Sequence, residues 1–314
     1  MKKRFHLVVI GAVVLVAIIA WQRTQRANAL SKDHRDTKAL GHSDEGATHQ
    51  RIVSLAPSIT ESLFSLGLGE RIVGVTQYCD YPKEALSKKK VGGYYDPNYE
   101  AIVGLRPDLV VLFSEHLAQR QALAEMDIKT LTLDHNKVDK ILGSLLLIGK
   151  TCGVEKKAQS LVTDIRRRIA RIQDMTKGLP RPRVLVSMGR NMGTGSIQDV
   201  YISGGNDYYH DLITMAGGNN AYQGNIAFPA VSKEGIIRMN PEVIIDMIPD
   251  IDVAGWNEKA IIDEWQSVGE VSAVQSGKVY VFTEDYVVVP GPRFILLLEK
   301  MAKVLHPEIN WAAT

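Results

Sequence analysis

The chain has 314 residues, with 37 Lys and Arg against 35 Asp and Glu, and a formal net charge of +2. Hydrophobic residues make up 45% and charged residues 23%, an ordinary globular composition that excludes a disordered, collagen-like or coiled-coil chain. Only one apolar run approaches membrane length, two cysteines are too few for a disulfide scaffold, and a charge of +2 gives no reason to expect nucleic acid as a partner.

Lys2, Lys3 and Arg4 precede an apolar run from Leu7 to Ala20, and Ala27-Asn28-Ala29 fits a signal peptidase site. This order predicts an export segment over residues 1–29, either a cleaved signal peptide or a membrane anchor with Trp21 at the interface. In both cases the remainder lies on the periplasmic or extracytoplasmic side and meets the membrane only through its N-terminal segment. No cysteine follows the run, so no lipid anchor is expected there. Residues 30–50 read as a flexible linker, and His34, His42 and His49 suit a solvated tail better than a metal tether. Residues 1–29 hold five basic side chains and no acid, so the chain beyond them carries −3.

From Arg51 the pattern becomes α/β. Residues 52–55 read as a strand, and Ser58-x-x-Glu61 as a capping box opening a helix. Leu109–Phe113 is a continuous apolar strand of the kind a parallel sheet buries on both faces. A helix near 119–126 and a strand at 130–133 follow. The second half repeats the pattern: a strand at 183–186, then Asn240-Pro241-Glu242-Val243 echoing Arg106-Pro107-Asp108-Leu109, a strand at 279–282 and a terminal helix at 293–305. Between the halves, Ala158, Leu161, Val162, Ile165, Ile169 and Ile172 keep helical spacing, with Arg166, Arg167, Arg168 and Arg171 largely off that stripe on a solvated face. The expected organisation is two Rossmann-like α/β lobes, 51–153 and 179–314, joined by a single long spanning helix at 154–178.

No P-loop, HExxH, CxxC or GxSxG motif occurs, and Gly193-Thr194-Gly195 lacks the third glycine of a dinucleotide fingerprint, so nothing recommends an enzyme. The tyrosines say more. Tyr78, Tyr81, Tyr94, Tyr95 and Tyr99 form one group, and Tyr201, Tyr208, Tyr209 and Tyr222 another, both in stretches that read as loops. Loops at strand ends hold ligands in α/β folds, and tyrosine offers a flat apolar face with a polar tip.

The stretch from Arg51 to Glu61 resembles the opening of class III periplasmic solute-binding proteins, which serve ABC importers for vitamin B12, ferric siderophores and haem. The likeness continues through the words from Gly74 to Pro82, Val91 to Gly93, Leu105 to Val111, Val231 to Glu234, Asn240 to Ile245, Thr283 to Tyr286 and Pro292-Arg293. Within that family the resemblance is closest to vitamin B12-binding proteins, through Asp80-Tyr81-Pro82 and Pro292-Arg293. It implies two α/β lobes and one helix, a monomer with no cofactor of its own, and a ligand held between the lobes by aromatic residues. Cobalamin or a related corrinoid is the leading cargo, with ferric siderophore or haem as the alternative. Tyr94 or Tyr95 and Tyr286 match the family's aromatics, where tryptophan is common; Tyr78 and Tyr81 join them from the first tyrosine group. Arg190 and Arg293 either meet an anionic ligand group or form structural salt bridges. His116 and His210 are candidate ligands to a metal chelate. The family docks on its permease through one glutamate per lobe. Glu234 matches in the second, and in the first Glu115, with Gln119 the alternative. A Cys79–Cys152 disulfide is left open. An exported enzyme and a tethered scaffold of the same fold are the rival readings.

Overall fold

Leu109–Phe113 is buried along its whole length, as a five-residue apolar run requires when helices cover both faces of a parallel sheet. In the computed structural model this strand, β4, lies in a sheet with β1 (Ile52–Ser54), β2 (Ile72–Val75), β3 (Lys89–Lys90) and β5 (Thr130–Leu133). The structure describes residues 49–249, 251 and 255–312; the export segment and the linker up to residue 48 lie outside them. The strand order is β3-β2-β1-β4-β5 and every pair is parallel. The chain thus builds outward from β1 on one side, then returns to place β4 on the other, making a topological switch point between β1 and β4.

The chain divides into two compact units that do not follow its order. The first comprises residues 49–182, 206–219 and 285–312; the second comprises 183–205 and 220–284. Two stretches expected in the second half therefore group with the first.

The helices of the first unit are α1 (Pro57–Ser65), α2 (Tyr99–Gly104), α3 (Leu117–Glu125), α4 (Val138–Thr151), α5 (Glu155–Thr176), α6 (Tyr208–Met215) and α10 (Phe294–Leu305). Val53, Leu55, Val91, Ile102, Val110, Leu112 and Leu123 form one core cluster. Helix α5 has 22 residues, about 33 Å at 1.5 Å per residue, and buries Ala158, Val162, Ile165, Ile169 and Ile172. It packs against α4 and α10. Arg166, Arg167 and Arg171 are exposed as expected, whereas Arg168 pairs with Glu299 of α10 at 2.8 Å. The expected capping box does not form. Helix α1 starts at Pro57, whose missing N–H suits the first helical position, with Ala56 before it and no side-chain cap. Ser58 and Glu61 are buried and bond elsewhere. The two cysteines are unpaired and buried: Cys79 Sγ lies 3.2 Å from Thr60 Oγ1 and 3.1 Å from Thr76 Oγ1, and no disulfide joins it to Cys152.

The second unit holds a mixed sheet of order β11-β10-β6-β7-β9, from β6 (Arg183–Arg190), β7 (Asp199–Ile202), β9 (Ala230–Ser232), β10 (Val243–Met247) and β11 (Val279–Phe282), with Asn220 of the short strand β8 (Asn219–Asn220) beside β6. The central β6, β10 and β11 are parallel, as the repeated pattern suggested; β7 and β9 add antiparallel pairs it did not announce. Helices α7 (Lys233–Met239), α8 (Glu258–Trp265) and α9 (Ser272–Gln275) complete it.

The echo between the halves has a structural content. Arg51 donates through Nε and Nη2 to the Leu105 carbonyl at 3.1 and 2.6 Å, and its backbone N–H meets the Asp108 carboxylate at 3.1 Å. Arg183 donates through Nη2 to the Asn240 carbonyl at 3.0 Å, and its N–H meets Glu242 Oε2 at 2.8 Å. Arg106 and Asn240, each before a proline, have positive φ of 45° and 43°. The same lock thus secures the entry to β4 and to β10.

Candidate functional site

In the first unit all five strands point their C-terminal ends to one edge of the sheet, where open α/β sheets take ligands. The segment after β1 leads into α1 with Ser58; that after β2 carries Tyr78 and Tyr81; that after β3, Tyr94 and Tyr95; that after β4, Glu115 and His116; that after β5, His135.

Tyr94 is the hub of one cluster. Its hydroxyl donates to Glu115 Oε1 at 2.8 Å, and its ring meets those of Tyr95 at 4.7 Å and His116 at 4.4 Å, both edge-on. Gln119 Nε2 donates to the Tyr95 carbonyl at 2.8 Å, which sets the loop. The Phe113 N–H donates to His116 Nδ1 at 3.3 Å, assigning the ring proton to a buried Nε2 that has no partner. Across the Phe113 ring, His135 lies 4.6 Å away with Nδ1 3.3 Å from Ser58 Oγ. Burial pushes His116 down to about 4, and His135 to about 3 against a smaller opposing pull from the Pro290 carbonyl, so both imidazoles are neutral at pH 7. Burial, reinforced by the Glu115 charge, pushes the Tyr94 phenol well up and Tyr95 up to about 12; both stay protonated.

Arg293 is the hub of a second cluster. It donates through Nε to Glu61 Oε2 at 3.0 Å and through Nη2 to Glu61 Oε1 at 2.5 Å. It also donates through Nη1 to Asp285 Oδ1 at 2.8 Å and through Nη2 to Asp285 Oδ2 at 2.9 Å. Its guanidinium lies 3.5 Å over the Tyr81 ring and 5.6 Å from that of Tyr286. Burial raises the Glu61 pKa more than Arg293 lowers it. Gly291 joins the two clusters: a Cβ there would stand 2.9 Å from Glu61 Oε2 and 3.4 Å from the Ser58 Cα. Tyr78 lies half-buried in the loop that carries Tyr81.

In the second unit Arg190 ends β6 with its side chain 2% exposed. Its Nε donates to Asp246 Oδ2 at 3.0 Å and its Nη1 bonds Glu264, while Trp265 Nε1 shares Asp246 Oδ2 at 2.8 Å. Glu264 Oε1 accepts from the Gly193 and Gly195 amides at 2.8 and 3.1 Å, so this loop is pinned. Burial raises the Glu264 pKa, but Arg190 and the two amides outweigh it and hold the carboxyl below its usual value. Of the two readings open for Arg190, the geometry favours the structural salt bridge.

Glu234 stands exposed in the first turn of α7, behind the Ser232 cap, and hydrogen bonds from its own N–H and from Ser232 hold its carboxyl below the usual range. Glu115, also on an exposed residue, differs in being tied to Tyr94. His210 lies within α6, its N–H bonded to the Asp207 cap at 2.8 Å. The second tyrosine group divides: Tyr208 and Tyr209 are buried helical residues with rings 4.0 Å apart, Tyr201 is on β7, and Tyr222 packs on the core of the second unit. Sequence reasoning missed Glu61, Asp285 and His135. Glu61 lies 232 residues from Arg293, and its place in an apparent capping box concealed its partner. Among the described residues, no group of three or more His, Cys, Asp or Glu is arranged to hold a metal ion, and no helix is long and apolar enough to cross a membrane.

A family model described as periplasmic binding protein matches residues 52–286. A Bacillus subtilis protein named as an uncharacterised ABC transporter substrate-binding lipoprotein is 29% identical over 82% of this chain and 81% of its own. The vitamin B12-binding protein of Pectobacterium carotovorum is 27% identical over 82% and 89%. Among solved structures, the periplasmic haem-binding protein HutB of Vibrio cholerae superimposes with a TM-score of 0.72 at 19% identity, covering 82% of this chain and 99% of that one. The vitamin B12-binding BtuF of the same organism gives 0.69 at 22%, covering 83% and 98%.

Proposed function

The chain belongs to the periplasmic binding protein family, and on that premise we propose that it is the extracytoplasmic solute-binding protein of an ABC importer, delivering cobalamin or a related corrinoid to the permease. The observation that carries this reading is the pair of aromatic clusters in the first unit: Tyr94 and Tyr95 stand against the neutral His116, and Tyr81 and Tyr286 stand around Arg293. Flat faces with polar tips suit a broad planar chelate with polar substituents, and tryptophan at such places would offer fewer polar contacts. Tyr78, half-buried in the loop that carries Tyr81, is a further candidate contact. Cargo capture needs no covalent step and no resident cofactor, so this reading makes the protein a carrier and not an enzyme.

Glu234 and Glu115 are the proposed docking acids, one from each unit, presenting carboxylates to a basic permease surface. The protein acts as a monomer. Residues 1–29 direct export and residues 30–50 tether the binding units, so contact with the membrane is through the N-terminal segment alone. A ferric siderophore or haem is the second cargo class, favoured by tyrosine, itself a ferric and haem ligand, standing where tryptophan is common. Calorimetry of the full-length protein with cyanocobalamin, haemin and a ferric catecholate, each in turn, separates the cargoes; binding of none refutes the proposal. Glu234→Arg is expected to leave cargo affinity unchanged while transport falls, and lost binding would refute its docking role.

A further inference from the structure

Arg293 is stacked on the Tyr81 ring, and it is not free to receive an anion. Four hydrogen bonds to Glu61 and Asp285 engage its Nε, Nη1 and Nη2 on both edges of the guanidinium. A guanidinium has five N–H donors, so one remains. The arrangement is layered by depth: the Glu61 side chain is 3% exposed and Arg293 13%, while Asp285 at 43% and Tyr81 at 42% reach solvent. An arriving molecule meets a tyrosine ring and a carboxylate before it meets the guanidinium. Asp80 adds a further negative charge near Glu61, and Lys90 donates to the Cys79 carbonyl at 2.8 Å. Close to Tyr94, the charge that bonds the phenol is again a carboxylate, Glu115.

We infer that Glu61, with Asp285, is a specificity-determining residue: by occupying the Arg293 donors it makes the tyrosine face reject chelates carrying carboxylate or phenolate groups and accept planar chelates without net negative charge. The inference rests on the cargo reading above. Glu61 need not touch the cargo; it acts through Arg293, and its charge decides what that guanidinium presents. Removing one carboxylate frees donors on a group already stacked on Tyr81, and a hydrogen bond to an ionised partner is worth about tenfold or more in affinity.

The test compares cyanocobalamin with haemin, a planar chelate bearing two carboxylates, by titrating each into the full-length wild type, Glu61→Gln and Asp285→Asn. The expected result is a wild type that binds cyanocobalamin more tightly, and a shift of about tenfold towards haemin in the ratio of affinities for each variant. Adding Arg293→Met to Asp285→Asn should abolish that shift. Because Asp285 is near the surface, its variant reports even where Glu61→Gln folds poorly. A variant that weakens both ligands equally, or lowers thermal stability with the ratio unchanged, assigns Glu61 a structural role and overturns the inference alone. A wild type that binds neither chelate overturns the inference together with the cargo reading.

Discussion

The two units share a lock at the beginning of a central strand and differ at the end of it. Arg51 with Asp108 and Arg183 with Glu242 make the same contacts, each behind a positive-φ residue and a proline. At the far ends, the first unit presents tyrosines, neutral histidines and a guanidinium that is partly exposed, whereas the second closes upon itself. Arg190, Asp246, Glu264 and Trp265 bond to one another, with Arg190 Nη2 left without a partner, and their ion-paired side chains are 8% exposed or less. One chain pattern thus carries a face open to a ligand and a buried charge network that holds a loop. What makes the difference is exposure: Tyr81 and Asp285 reach solvent in the first unit, whereas the charges around Arg190 are buried.

The strongest way to break that comparison is acid, which should act on the first unit. His116 and His135 have pKa values of about 4 and about 3, below the unfolded value near 6.5. Their contribution is therefore intact above pH 6.5 and is lost as pH falls towards those values, because the unfolded chain takes up protons first. Each histidine loses about 1.4 kcal/mol per pH unit across that window. Urea unfolding from pH 7 to 4 should show this slope, and a His116→Gln/His135→Gln variant should flatten it. In the second unit, Asp246→Ala leaves Arg190 and the Trp265 N–H without their shared acceptor, and a loss of about 3–5 kcal/mol is expected by chemical denaturation. Gly291→Ala, which forces a methyl against Glu61, should cost about 1–3 kcal/mol and weaken cargo binding beyond its effect on Tm. The smallest effect sharpens the likeness: Arg51→Ala and Arg183→Ala should each cost about 1 kcal/mol, and losses differing severalfold would show that the two locks are not equivalent.

Much of this was legible in the sequence where local pattern dominates. Leu109–Phe113 has no polar break, so a doubly covered strand was its natural fate, and the stripe from Ala158 to Ile172 could bury one face only as a helix. Loop tyrosines between 78 and 95 were likewise readable from their setting. The missing parts depend on pairs far apart in the chain. Glu61 looked like a cap residue because Ser58-x-x-Glu61 fits a capping box, and nothing local shows that Arg293 lies beside the carboxylate. Tyr208 and Tyr209 looked like loop residues because Gly/Asn-rich neighbours surround a helix of eight residues whose burial comes from tertiary packing. The antiparallel β7 and β9 are short and only partly buried, so their periodic signal was weak.

The first unit is completed by residues 285–312, which bring Asp285, Tyr286, Gly291, Arg293 and α10 to a sheet begun at Ile52. A chain made from its N-terminus has all of its first sheet available long before that closing segment arrives. Until then Glu61 lacks its guanidinium and α5 lacks one of the helices it packs on. Non-local closure of this kind slows folding, and it leaves the nascent chain incomplete until its last segment is made. The order of the segments therefore acts as a timer: Tyr286 and Arg293 join Tyr81 only after residues 285–312 have been made.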